Sequence, residues 1–189
     1  MVVGITGKSG CGKSTISGHI RDLGYKVIDV DIIHKAVSAN CMDKIYEIYK
    51  DMGYDELTHR DKVKLFFEDI NVRERVNEVT FKETVSKILQ EIQQCGDDDI
   101  IFLDAPLLFD MKLNLNCDKI WCAYCGKEIN IQRLMARNNL SYAEALNRYN
   151  ALDFSRYRRM FNLFISTEYD YLRLLKQRIS KYEENNGIR

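Results

Sequence analysis

Gly7-Lys8-Ser9-Gly10-Cys11-Gly12-Lys13-Ser14 fits the pattern glycine, any four residues, glycine, lysine, then serine or threonine. The pattern has a physical origin. Phosphate oxygens are met by backbone N–H groups, and Gly7, Gly10 and Gly12 let the main chain approach them closely. The helix that follows turns its positive end toward the phosphates. Lys13 is placed to reach the β- and γ-phosphates of ATP, and Ser14 to offer its hydroxyl to Mg²⁺. Thr15 extends the run and is expected on the α-phosphate side. Cys11 lies inside the loop, where an accessible thiol would be open to alkylation that ATP blocks.

The flanks supply the context that such a loop needs. Met1 to Thr6 is a short apolar run that reads as a buried parallel strand. Lys13 to Leu23 has helical character and stops at Gly24, and Tyr25 to Val30 is a second strand. Strand, loop, helix and strand make a βαβ unit. From Ile32 to Gln94 the pattern is helical. Val72, Val76, Val79, Ile88, Leu89 and Ile92 mark one face, and Cys95-Gly96 ends the long helix. Thr58 with Asp61 and Ser141 with Glu144 are candidate capping boxes. Asp97-Asp98-Asp99 is expected to be a solvated turn.

Further strands are expected at Asp99 to Leu103, Lys119 to Tyr124 and Phe161 to Ser166. Glu128 to Met135, Ser141 to Ala151 and Tyr169 to Asn185 read as helices. The expected class is α/β: a three-layer core around a parallel sheet, with a helical insertion after the second strand.

Composition narrows the function. The chain is 46% hydrophobic and 30% charged, a globular profile. The formal net charge is zero, which argues against nucleic acid as a partner. No run approaches the roughly 18 apolar residues of a membrane span. Gly4, Thr6 and Lys8 interrupt the opening apolar stretch, so it does not read as a secretory signal. The expected location is the cytoplasm, where the six cysteines stay reduced. There is no Asn-Lys-x-Asp guanine-reading motif, which disfavours a GTPase.

Carboxylates at strand ends are the next candidates, because ligands of open α/β sheets bind there. Val27-Ile28-Asp29-Val30-Asp31 ends the second predicted strand, and alternation puts Asp29 and Asp31 on one side. A carboxylate there can accept a proton from an acceptor hydroxyl or help hold Mg²⁺, and either residue could instead cap the next helix. Asp104 ends the third strand, as a Mg²⁺-associated carboxylate or as a structural residue near Pro106. Arg133 and Arg137 are four apart and share a helix face, suited to polyphosphate, with Arg148 on the next helix. A solvated basic face is the alternative.

These blocks resemble the dephospho-coenzyme A kinase family. The resemblance runs from Val3-Gly4-Ile5-Thr6-Gly7 through Gly12-Lys13-Ser14-Thr15, then Leu23-Gly24 and Val27-Ile28-Asp29-x-Asp31 with Ile33 and Lys35. It continues in Leu103-Asp104-Ala105-Pro106-Leu107-Leu108-Phe109-Asp110, in Gln132-Arg133-Leu134-Met135-Ala136-Arg137, and in Glu144-Ala145 and Arg148. It implies a three-layer P-loop nucleotide-kinase fold in one domain. The core is about 1–31, 96–126 and 152–189, the helical acceptor-binding insertion about 32–95, and the helical lid about 127–151. It implies ATP-dependent phosphorylation of the ribose 3′-hydroxyl of dephospho-coenzyme A. Asp31 is then base or orienter, Lys13 and Arg137 act on the transferred group, and Ser14 and Asp31 hold Mg²⁺. A kinase of another nucleoside or nucleotide, or an ATP-binding module without turnover, are the alternatives.

Four positions depart from that family. Lys8 stands where a second glycine is usual, and Phe81-Lys82 where His-Pro is usual. A usual glutamine near Leu152 is lost, and Phe161-Asn162 and Thr167-Glu168-Tyr169 replace Ala-Asp and Asn-x-Gly. Among the remaining signals, Cys122 and Cys125 read as small buried residues on or near a strand rather than zinc ligands. His19, His34 and His59 have no metal-ligand spacing. Phe154 to Phe164, with Arg156, Arg158 and Arg159, reads as a packed helix with a basic face.

Overall fold

Val2–Gly7 forms strand β1 in the computed structural model of the chain, with Val3 and Ile5 fully buried. The structure describes residues 1–96, 99–150, 153–185 and 187. It divides into two compact units, Met1–Asp29 with Gln93–Arg189, and Val30–Ile92.

The first unit is built on a five-stranded sheet in the order β2-β3-β1-β4-β5, every neighbouring pair parallel. The other strands are β2 (Lys26–Asp29), β3 (Ile101–Asp104), β4 (Lys119–Tyr124) and β5 (Leu163–Ser166). Continuous apolar runs suit strands covered on both faces, and all four residues of β3 are buried. Helix α1 (Lys13–Asp22) buries Ile16 and Ile20, and these join Phe102 and Trp121 in the core. The closing helix α8 (Leu172–Asn185) adds Leu175, Ile179 and Tyr182, and the Trp121 indole donates to the Tyr182 hydroxyl at 3.2 Å.

Between β4 and β5 lie α6 (Lys127–Asn138) and α7 (Tyr142–Asn150). Ile131, Leu134 and Ala145 form their shared core. Ser141 and Glu144 make the expected reciprocal cap: the Ser141 N–H donates to Glu144 Oε2 at 2.8 Å, and the Glu144 N–H to Ser141 Oγ at 3.3 Å. Ser155–Met160 is a 3₁₀ turn that leads into β5, not the packed α-helix expected from Phe154 to Phe164. The aromatics there close on Phe109, whose ring stacks on Tyr157 at 3.8 Å, while Arg156, Arg158 and Arg159 face solvent. Phe161 and Asn162 connect the turn to the strand.

The second unit is helical: α2 (Val30–Asn40), α3 (Met42–Asp51), α4 (His59–Glu68) and α5 (Ile70–Gln93), which runs to its boundary. Ile48, Tyr49, Val72 and Val76 make its core. Thr58 caps α4 by accepting from the Asp61 N–H, as its sequence suggests. The last helix stops at Gln93, two residues before Cys95-Gly96. Of the acidic run, Asp99 closes a turn by accepting from the Gly96 N–H at 2.8 Å; Asp97 and Asp98 lie outside the described residues, as does Leu152. No described helix is long and apolar enough to cross a membrane.

Candidate active site

β1 is the central strand, flanked by β3 on one side and β4 on the other. The chain leaves it toward β2 and later returns to β4, so the sheet order reverses at its carboxyl end. In open α/β sheets that reversal opens the ligand crevice, and Gly7 to Ser14 occupies it.

The loop closes on itself where the Cys11 N–H donates to the Lys8 carbonyl at 3.1 Å. Gly12 then caps α1 with φ 87°, in the left-handed region where only glycine sits without strain. Its carbonyl accepts the first helical bonds, from Thr15 at 3.1 Å and Ile16 at 3.2 Å. The early N–H groups of α1 have no partner within the helix and are the donors an anion can use. Ser14 and Thr15 are exposed in this first turn.

Cys11 turns inward and is 1% exposed. Burial pushes its thiol up to about 11, against which the nearby Lys13 and its N–H act weakly. The accessible, alkylation-prone thiol expected from the sequence is therefore absent: the loop exposes its backbone and buries this side chain. Cys122, Cys125 and Cys11 line one cavity of about 260 Å³ with Lys8, Asn130 and Tyr149. Cys122 is buried as expected, and Cys125 half-buried.

Lys13 Nζ is ion-paired with Asp104 Oδ1, and both side chains are largely buried. Asp104 reaches this place because it ends β3, in register with Ile5 of β1 and Asp29 of β2. Asp29 lies 3.9 Å from the Arg21 guanidinium. The Ser14 hydroxyl and the Asp104 carboxylate are hard oxygen donors, the type Mg²⁺ takes, so the residues present fit that ion.

Of the three arginines of α6 and α7, Arg137 reaches the loop, and Arg133 reaches Thr167, whose hydroxyl meets the loop at Cys11. Arg137 Nη2 donates to Ser9 Oγ at 3.2 Å. Arg133 donates from Nη1 to Thr167 Oγ1 at 2.8 Å and from Nη2 to the Thr167 carbonyl at 3.1 Å. Arg148 instead stays exposed on α7, beside Glu144, whose carboxyl is held low chiefly by hydrogen bonds from Ser141 and in small part by Arg148. Lys8, the departure from the family's glycine, donates to the Tyr149 carbonyl at 2.8 Å and covers the Tyr149 ring at 3.9 Å. Neither the Lys8 contact nor the Thr167 contacts are foreshadowed by local sequence.

Asp31 lies in the helical unit. β2 ends at Asp29 and Val30 opens α2, so strand alternation does not relate Asp29 to Asp31. Asp31 is exposed in the first turn of α2, where a carboxylate complements the helix dipole. One turn on, His34 Nδ1 meets Thr84 Oγ1 at 3.0 Å and its ring packs on Phe81 at 5.5 Å. Burial lowers the His34 pKa, with Asp31 opposing.

Known proteins resemble this chain in sequence and in fold. The family model described as dephospho-CoA kinase matches residues 1–162. The dephospho-CoA kinase of Staphylococcus epidermidis (strain ATCC 12228 / FDA PCI 1200) is 31% identical, over 98% of this chain and 95% of its own length. That of Listeria innocua is 34% identical over 79% of this chain and 78% of its own. Among solved structures, TT1252 from Thermus thermophilus superposes with a TM-score of 0.81 at 24% identity, covering 96% of this chain and 97% of its own, a likeness of fold. With the phosphate-binding loop, the parallel sheet and a family match over most of its length, the chain belongs to the dephospho-CoA kinase family.

Proposed function

We propose that the chain transfers the γ-phosphoryl group of ATP to the 3′-hydroxyl of dephospho-coenzyme A, the last step of coenzyme A biosynthesis. The observation that carries the chemistry is the Lys13–Asp104 pair set at the carboxyl edge of the sheet behind an anion-binding loop. Family membership carries the acceptor.

In this reading the loop N–H groups not used within the loop and the α1 dipole bind the β- and γ-phosphates. Lys13 moves its charge onto the transferred group, and Arg137 and Arg133 neutralise the oxygens that gain charge in the transition state. Ser14, with Asp104 or Asp31, would hold Mg²⁺, which would supply neutralisation of phosphate charge. Asp31 orients the acceptor hydroxyl and takes its proton as the new P–O bond forms and the bond to the ADP oxygen breaks. The helical unit supplies the acceptor site, α6 and α7 the lid, and the cytoplasm the reducing surroundings its thiols need.

The test is ADP release with Mg²⁺-ATP and a panel of acceptors: dephospho-coenzyme A, adenosine, the nucleoside monophosphates and none. Turnover with dephospho-coenzyme A alone is expected. Phe81-Lys82 in place of the family's His-Pro favours a second reading, another nucleoside or nucleotide as acceptor, which turnover with a different member of the panel would establish. ATP binding with no turnover would leave a binding module. Asp31→Asn should keep near-normal ATP affinity and lose about 10²-fold or more in kcat; unchanged turnover removes Asp31 from the mechanism.

A further inference from the structure

We infer that Thr167 is a positioning residue for ATP, holding the Arg133 guanidinium against the phosphate-binding loop. The inference rests on reading Arg133 as a ligand of the ATP phosphates.

Thr167 follows β5 directly, and its main chain is fixed by the sheet, since its N–H donates to the Tyr124 carbonyl at 3.0 Å. Its hydroxyl donates to the Cys11 carbonyl of the loop at 2.7 Å and accepts from Arg133 Nη1 at 2.8 Å. A guanidinium only donates, so the single hydroxyl proton goes to a carbonyl: that of Cys11 at 2.7 Å is the near acceptor, and that of Tyr124 at 3.5 Å the far one. The Thr167 carbonyl takes a second bond, from Arg133 Nη2. Three segments distant in sequence therefore meet on one residue: the loop, the lid helix α6 and the turn before α8.

Two consequences concern ATP rather than stability. Both acceptors of Arg133 on Thr167 are neutral, so the contact orients the guanidinium without cancelling its charge. A fork oriented before the ligand arrives loses less side-chain freedom on binding a phosphate. The Thr167 methyl also packs on the loop: a Cβ at Gly12 would lie 3.0 Å from Thr167 Cγ2.

The test compares KM for ATP in the wild type, Thr167→Val, Thr167→Ser, Arg133→Met and the double variant Thr167→Val/Arg133→Met. Valine keeps the shape and removes the hydroxyl; serine keeps both hydrogen bonds. Thr167→Val is expected to raise KM for ATP about tenfold with KM for the acceptor unchanged, the scale of one lost hydrogen bond to a charged group. Thr167→Ser should stay within about twofold of wild type, and the double variant should be no worse than Arg133→Met alone. Wild-type KM in Thr167→Val beside a raised KM in Arg133→Met overturns the inference and leaves the reading of Arg133 standing. Wild-type KM in Arg133→Met overturns both. Multiplying effects in the double variant also overturn the inference. Thr167→Ala removes the same hydroxyl without the branched bulk and carries the comparison should valine not fold.

Discussion

Lys13, the first residue of α1, and Asp104, the last of β3, form an ion pair, the lysine side chain 11% exposed and the aspartate 4%. A pair so placed does two jobs with opposite energetic signs. It removes two charges from water, which is costly, and it holds the ammonium at the loop with a partner that phosphate can replace. The carboxylate is also a negative charge close to where a polyanion is to bind.

Asp104→Asn separates those jobs. The variant leaves the lysine charge buried without its partner, so unfolding stability should fall by about 3 kcal/mol, read from urea denaturation. ATP without divalent metal should then raise the thermal midpoint more in the variant than in wild type, because the phosphates become the missing counterion and meet no carboxylate. With Mg²⁺ present, kcat should drop. Equal stabilisation of both proteins by metal-free ATP would show that Asp104 does not set the charge at Lys13.

Much of this arrangement is legible in sequence, for a reason that particular residues make plain. The loop from Gly7 to Ser14 is recognisable because its chemistry is local: every donor comes from consecutive backbone, and glycine is demanded by the φ at Gly12 itself. Strands β1, β3 and β4 are visible as apolar runs, and the caps at Thr58 and Ser141 as residues three positions apart from their partners. Asp31 shows where local pattern misleads. Val27-Ile28-Asp29-Val30-Asp31 alternates like a strand, yet the ladder stops at Asp29 because β3, its neighbour, ends at Asp104. Cys11 reads as exposed because the loop is, but its side chain packs into the core. Thr167 and Lys8 were illegible: their partners lie 156 and 141 residues away, and no spacing rule reaches that far.

The buried thiols predict the response to alkali. Burial raises Cys11 to about 11 and Cys117 and Cys122 to about 12, from an ordinary 9.0. The unfolded chain releases these protons near pH 9, the folded chain only above 11, so the folded state binds more protons in between. Stability is therefore complete below pH 9 and falls as pH rises through 11, by up to about 1.4 kcal/mol per pH unit for each thiol. Urea midpoints at pH 8.5 and 10.5 read the effect. Cys122→Ala should reduce the difference between the two midpoints, whatever its own cost at pH 8.5; an unchanged difference would mean that this thiol contributes nothing to the alkaline loss.

Lys8 makes a prediction about motion. Its ammonium donates to the Tyr149 carbonyl at 2.8 Å and lies 3.9 Å from that residue's ring centre, joining the loop to the last turn of α7. Burial lowers its pKa, with Asp153 opposing. A hydrogen bond from a charged group and a cation–π contact together hold one end of the helix. Lys8→Gly restores the residue the family carries and removes both contacts. Amide exchange in α7 should then speed up about 30-fold, the scale of those two contacts, while β1 and β4 keep their protection. ATP, gathering the loop and the lid arginines, should recover part of the lost protection. Unaltered exchange in α7 would mean that its own packing, through Ala145 and Leu134, holds the helix without the lysine.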